Sequence, residues 1–501
     1  MMYSARSKVL WLSACYSIAR GSRALSVCQP RGARTFEKAP KIRRAECAPI
    51  RTRSLCTSTD EGEVKRGVVI GCYETSDGYQ LSGCGQGVDG ECSGQLTQLL
   101  ASSGGKVKKG DCRLFYDVTK DHAHVAVVGV GSCDPEIGCE DIDVKRQNIR
   151  SAAAVGVKTL QKAGVTDISI DGLGNPEACA EGSVLGTFVF DKLKDSEKRK
   201  EPPAITLINS TSESEVEWNR GCVLASAQNF ARELKEMPSN LLTPSLFVDA
   251  VGERMAGRES LEFIPRPKSW IEEKKMGAFL GVAQGAATSP WLLEMRYNYK
   301  PEDTPIVLVG KGVTFDTGGI SIKPSAGMGL MRGDMGGAAA VAASVYAVAQ
   351  LQLPISLVAL IPLCENMPSG TAFKPGDVVT AMNGKTIEVD NTDAEGRLLL
   401  ADALTYAHSF SPSTIIDLAT LTGAVDVALG SGAAAVFTTD DDLWSEIHQA
   451  GQVTGDRVWR MPLYQQYTKQ IEARTADISN VGARGRDAGA LHSRSIPQGV
   501  R

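Results

Sequence analysis

Two patterns alternate along the chain. Short, nearly continuous apolar runs end in glycine, and between them lie stretches with apolar residues at helical spacing. The first kind reads as buried strands and the second as amphipathic helices. Residues 67–71 and 123–131 are strand runs that stop at glycine turns, and 167–171 and 204–208 read the same way. Helices are predicted over 146–164 and 178–188. From 213 to 237, Trp218, Val223, Ala227, Phe230 and Leu234 fall on one stripe of a long amphipathic helix, and Pro238 stops it. Thr243 and Pro244 then supply the N-cap and first-turn proline of another helix. After Pro301 the pattern resumes, with strands over 305–310, 356–361 and 414–418, an alanine-rich helix over 338–351 and a leucine-rich helix from 398.

Strands alternating with helices imply a mostly parallel sheet. The expected fold is α/β in two domains. A smaller N-terminal domain with a mixed or parallel sheet spans 60–212. A connecting helix covers 213–240. A larger C-terminal α/β domain, with a central sheet flanked by helices, spans 241–490.

Composition narrows the function classes. A hydrophobic share of 43% and 51 glycines over 501 residues suit an α/β protein with many strand-to-helix turns. The net charge of −4 gives no electrostatic case for a nucleic-acid partner. No apolar run reaches the ~18 residues of a membrane span, so no membrane partner is expected. The 13 cysteines are scattered without CxxC pairs, which reads as reduced thiols rather than a disulfide framework or zinc module. The five histidines (His122, His124, His408, His448 and His492) form no HExxH. His122 and His124 flank a strand start and read as surface or core residues. Any metal site must therefore lean on carboxylates, which suits hard or borderline divalent ions. Gly129 and Gly131 lack the third glycine of a dinucleotide fingerprint.

Residues 1–59 have the composition of a leader: many Arg, Lys and Ser, with Glu37 and Glu46 the only acids before position 55. A mitochondrial transit peptide fits best. A secretory signal over the apolar run 9–19, or a disordered extension, are the rivals. The location expected is mitochondrial, cytoplasmic or both. The charge run at 192–201 reads as a solvated loop.

Candidate chemistry gathers in three polar turns at the carboxyl ends of strands, where ligands collect in open α/β sheets. Residues 391–397 place Asp393 and Glu395 two apart, with Gly396 and Arg397 following, directly before the leucine-rich helix. One reading is capping, with Thr392 or Asp393 as N-cap and Glu395 as a first-turn anion. The other is a cation site. Upstream, Lys311 follows a strand, and Asp316 and Asp334 sit in glycine-rich segments. Buried among acids and metal, Lys311 could lose its proton and ligate through nitrogen. Each aspartate alone reads as a turn residue. Four carboxylates meeting in one crevice would repel, and a pair of divalent ions about 3.5–4 Å apart would neutralise them and activate a water.

The motif NTDAEGRL at 391–398, with the lysine- and aspartate-bearing segments at 311–337, resembles the leucine aminopeptidase family, the dinuclear-zinc cytosol aminopeptidases. RPKSWIEE at 266–273, LCENMPSG at 363–370, KPGD at 374–377 and TGDRVWRMP at 454–462 resemble the animal enzyme. The likeness runs over about 67–489. It implies a metal-dependent aminopeptidase that hydrolyses N-terminal residues, leucine preferred, from peptides, with zinc, manganese or magnesium at two sites per subunit. It implies one metal bound by Lys311, Asp316, Asp334 and Glu395, and a more exchangeable one bound by Asp316, Asp393 and Glu395. Lys323 would polarise the scissile carbonyl, and Arg397 would hold a bicarbonate acting as general base. Asn391, Lys323, Thr420, Leu421 and Gly423 would contact substrate. A homohexamer is implied.

Two features depart from the family. Gly329 and Gly333 stand where it usually has Asp and Ala. Residues 491–501 form a basic, divergent tail where the family continues with further helix and strand, so 241–490 reads as a C-terminally incomplete catalytic domain. The rival functional reading is a catalytically impaired isoform, serving as a non-catalytic subunit or binding partner of the full-length enzyme.

Overall fold

The computed structural model describes residues 65–482, apart from 77, 134 and 136–139. The predicted leader, His492 and the 491–501 tail lie outside the described residues. In the N-terminal part the strands are β1 (Arg66–Thr75), β2 (Gly78–Leu81), β3 (Cys112–Tyr116), β4 (His124–Ser132), β5 (Asp167–Ile170) and β6 (Ala204–Leu207). They form one sheet in the order β3-β4-β1-β5-β6, with β2 paired to β1. β4, β1, β5 and β6 run parallel, while β2 and β3 are antiparallel additions.

The helices are α1 (Gly83–Glu91), α2 (Gln95–Ser102), α3 (Val144–Lys162) and α4 (Pro176–Gly186). Alternation along β1 and β4 divides the core between the two faces. Val69, Ala126, Val128 and Val130 pack with α3 and α4, while Val68, Ile70, Val125 and Val127 pack with α1 and α2. Burial on both faces is why these strands read as unbroken apolar runs.

The predicted long helix is α5 (Ser212–Glu236), started by a Thr211–Ser214 capping box and ended before Pro238. Its stripe serves two cores. Trp218 packs into the N-terminal one, and Val223, Ala227, Phe230 and Leu234 pack into the next. A polar clasp joins the same halves: Arg150 Nη2 donates to Val453 O (2.7 Å), and His448 Nε2 lies 2.7 Å from Asp141 Oδ2.

The second domain adds α6 (Pro244–Met255), β7 (Leu261–Pro267), α7 (Lys268–Glu273), α8 (Gly277–Ala283), β8 (Trp291–Tyr297), β9 (Ile306–Gly310), β10 (Gly312–Asp316), α9 (Gly336–Gln350), β11 (Leu357–Asn366), β12 (Val378–Thr380), β13 (Thr386–Glu388), α10 (Gly396–Ala407) and β14 (Thr414–Leu418). The main sheet runs β14-β9-β11-β8-β7, with β10 beside β11. β14, β9, β11 and β10 are parallel, and β8 and β7 are antiparallel at one edge, so the sheet is mixed. Leu308, Ala359 and Ile361 face α5, α6 and α9, while Val307, Val309, Val358 and Leu360 face α8 and α10. Among the described residues, no helix is long and apolar enough to cross a membrane.

Helix α10 is fastened at its middle by Asp402, which is fully buried. Its two carboxylate oxygens accept the N–H groups of Phe279 (2.9 Å) and Met382 (2.7 Å). Burial pushes this carboxyl up to about 7, against the pull of those hydrogen bonds. A carboxyl raised on folding contributes most below its ordinary pKa, and the contribution fades as pH rises toward the folded value. The stability of the native protein relative to Asp402→Asn should therefore fall between about pH 4 and about pH 7, with a slope of at most ~1.4 kcal/mol per pH unit. Denaturant melts of both proteins across that range measure it, and a flat or rising difference would refute it.

Candidate metal centre

Parallel strands deliver the polar residues to one edge of the second sheet. Lys311 follows the last residue of β9, Asp316 ends β10, Asn366 ends β11, and Thr420 lies two residues beyond β14. The backbone of Lys311 is fixed on both sides, its N–H donating to Leu418 O and its carbonyl accepting from Ala338 N–H, each at 2.9 Å. Glu395 immediately precedes α10, and Asp334 closes the 3₁₀ turn Met328–Gly333 ahead of α9.

The predicted acids meet. Asp316, Asp393 and Glu395 offer carboxylate oxygens all within 4.8 Å of one another. Asp334 joins them through Lys311, whose Nζ lies 2.7 Å from Asp334 Oδ2 and 2.9 Å from Glu395 Oε1, and donates to Thr420 O at 3.1 Å. Lys323 Nζ lies 2.7 Å from Asp316 Oδ2 and also pairs with Asp393. Thr420 Oγ1 donates to Asp334 Oδ1 at 2.7 Å. Lys311, Asp316, Asp334, Glu395 and Arg397 are buried, whereas Asp393 and Lys323 are half-buried.

Likeness to known proteins bears on this arrangement. The family model for the cytosol aminopeptidase catalytic domain matches residues 229–494, and that for its N-terminal domain matches 69–197. The cytosol aminopeptidase of Xenopus tropicalis is 48% identical over 435 residues, 85% of this chain and 83% of the relative. The human cytosol aminopeptidase is 46% identical over 457 residues, 90% of this chain and 86% of the relative. The chain belongs to the cytosol aminopeptidase family. Solved structures agree. A mutant of tomato leucine aminopeptidase superposes with a TM-score of 0.74 at 28% identity, covering 88% of this chain and 87% of that one. The bottromycin maturation enzyme BotP in complex with Mn gives 0.73 at 29%, covering 87% and 89%.

In this metal-dependent aminopeptidase the electrostatics are those of a cation site. Burial pushes the Asp393 carboxyl up to about 6, with Asp316 adding to the rise and Lys323 opposing it. Burial likewise drives Asp334 upward, aided by Glu395 and Asp316 against the pull of Lys311. Acids this crowded favour a concentrated positive charge between them. Oxygen-rich donors with one amine suit a hard or borderline divalent ion, so the residues present fit the metal that the family implies. The sequence expectation for Lys311, loss of its proton among acids and metal, concerns the metal-loaded site; among the acids alone the balance is different. Burial alone would lower its pKa, but Asp334, Glu395 and Asp316 together hold the ammonium well above its ordinary value. As the side chains stand, it is the acids' counter-charge.

The capping alternative does not hold. Glu395, in helical conformation, occupies the N-cap position of α10 and makes no side-chain cap bond. Thr392 Oγ1 instead donates to Gly318 O (2.6 Å) and accepts from Ser321 N–H (2.8 Å). Two glycines make the close approaches possible. A Cβ on Gly396 would sit 2.6 Å from Lys311 Cε, and Gly318, at φ +88°, would place one 2.9 Å from Asp393 Oδ1. Gly333 has a packing consequence as well, since a Cβ there would meet Lys235 Cε at 3.0 Å.

Of the predicted substrate contacts, Thr420 touches the acid cluster directly. Leu421 packs against the core beneath the sheet, and Gly423 opens the exposed helix α11 (Gly423–Leu429). The side-chain oxygen of Asn391 accepts Asp393 N–H at 2.8 Å, shaping the turn. Asn366 went unnoticed in the sequence. Its Nδ2 donates to both Asp316 Oδ1 (2.8 Å) and Thr392 O (3.0 Å), tying two of the acid-bearing loops together. The signal that could have found it is its place at the end of a strand beside the one that ends in Asp316.

Proposed function

We propose that this aminopeptidase removes N-terminal residues, leucine preferred, from peptides with two divalent ions, zinc, manganese or magnesium. In this reading Lys311, Asp316, Asp334 and Glu395 hold one ion, and Asp316, Asp393 and Glu395 hold the other. What carries it is the meeting of three carboxylates within 4.8 Å, flanked by Lys311 and Lys323. When bound, a metal pair supplies an acidified water and neutralises the crowded acids.

The chain's own groups do the rest. Lys323, half-buried, stabilises negative charge developing on the scissile carbonyl oxygen. Arg397 is buried, and its Nε has no hydrogen-bond partner among the described residues. That donor suits a small anion such as bicarbonate, placed to accept the proton of the attacking water. Thr420, Leu421, Gly423 and Asn391 border the space for the substrate's first residue. The family likeness further supports a homohexamer, working in the cytoplasm or, through the basic leader, in mitochondria.

The test is turnover. Purified protein supplied with manganese or zinc should hydrolyse leucine p-nitroanilide, lose that activity to a chelator and regain it with metal. No turnover from metal-replete protein, together with co-purifying full-length subunits, would favour the non-catalytic subunit instead.

A further inference from the structure

The turn at 390–397 carries Asp393, Glu395 and Arg397, yet regular structure begins only with α10 at Gly396. Its backbone groups therefore need partners from elsewhere. On one side Ser321 Oγ accepts Thr392 N–H (3.2 Å) and Asn366 Nδ2 donates to Thr392 O (3.0 Å). On the other side a single residue supplies the partners. Asn480 is fully buried and directly follows the short strand β15 (Ile478–Ser479), which pairs parallel with β13.

Every polar group of Asn480 is engaged with this region. Its N–H donates to Glu388 O at 2.9 Å. Its Oδ1 accepts from the N–H groups of Asp390 (2.9 Å) and Asn391 (3.2 Å). Its Nδ2 donates to Asn391 O (2.6 Å) and, at longer range, to Ala394 O (3.4 Å). Its carbonyl accepts from Arg397 Nη1 at 3.0 Å. One amide side chain thus satisfies both donors and acceptors of the turn, and no other side-chain type combines two donors with an acceptor in that reach except the longer glutamine.

We propose that Asn480 is a positioning residue for the metal site. It touches no reacting atom. Its side chain sets the turn so that Asp393 and Glu395 face Asp316, and its carbonyl aims the Arg397 guanidinium. The inference rests on the metal reading of the acid cluster.

The experiment compares Asn480→Ala with two controls in the full chain. Asp477→Ala removes an exposed carboxylate that accepts Thr386 N–H at 2.8 Å, loosening the same strand pairing away from the turn. Asp316→Asn removes a proposed ligand. Manganese affinity is read by calorimetric titration of the folded protein, and kcat and KM are read at saturating metal. Asn480→Ala should bind manganese ~10–100-fold more weakly and lose ~10–100-fold in kcat, with KM within about 3-fold, while Asp477→Ala keeps both. If Asn480→Ala matches Asp477→Ala in affinity and kcat while Asp316→Asn is inactive, the positioning role is wrong and the metal reading stands. If Asp316→Asn still binds manganese and turns over, both fall. Should Asn480→Ala not fold, Asn480→Ser is judged by the same criteria.

Discussion

Asp316→Asn should reduce leucine p-nitroanilide turnover by about 10³-fold or more. Groups that merely orient metal ligands are worth ~10–100-fold, and Asp316 is proposed to serve both ions, so its loss must cost more. The substitution is chosen to leave the scaffold alone. An asparagine of the same shape can still accept Gly318 N–H at the 2.8 Å contact that Asp316 Oδ1 now makes. The charge is what disappears. In metal-free protein that relieves repulsion with Asp393 and Glu395 while leaving Lys323 one acid fewer, two effects of opposite sign, so the melting temperature should move little. Metal reveals the difference. A ligand at about 100 times its Kd stabilises the folded state by ~2.7 kcal/mol, so manganese should raise the melting temperature of the native protein and not that of Asp316→Asn. A variant that keeps turnover and the metal-induced shift would remove the basis for a metal site here.

The parts of the fold legible in the sequence are those in which a local period reports burial. β1, β4, β9 and β11 are apolar through their middles because both faces of their sheets are covered. The helix over 212–236 was visible because its stripe stays in phase over its whole length. The elements missed break those signals for physical reasons. β8 carries Glu294, which is fully buried and satisfied by Arg266 Nε (3.0 Å), Arg296 Nε (2.6 Å) and Tyr406 OH (3.2 Å). A carboxylate in mid-strand interrupts the apolar run, and its partners come from three separate elements. β7 contains Pro265 and Pro267, tolerable because it is the edge strand of the sheet.

The candidate site divides the same way. Ligand-type residues announce themselves by composition: acids beside glycines, a lysine after a strand. Asn366 and Asn480 do not, because their role lies wholly in hydrogen bonds to loops 26 and more than 80 residues away along the chain. The role of Lys311 as counter-charge to the acids in the absence of metal was equally hidden. Burial alone argues for a lowered pKa, and only the three surrounding acids reverse the sign.

Lys323→Met should separate chemistry from metal binding. A charged donor aimed at a developing oxyanion is worth ~10²–10³-fold in kcat, so turnover should fall by about that factor with little change in KM. Lys323 now neutralises Asp316 and Asp393, and as a cation it competes with any ion those acids would hold. Removing it should leave manganese affinity undiminished or raise it, the reverse of the outcome at Asp316. Lys323→Arg keeps the charge but replaces a compact ammonium with a planar fork, so partial recovery of kcat is expected. Full activity in Lys323→Met would show that the carbonyl is polarised by other means. A parallel loss of metal and activity would instead make Lys323 a structural counter-ion of the acid cluster.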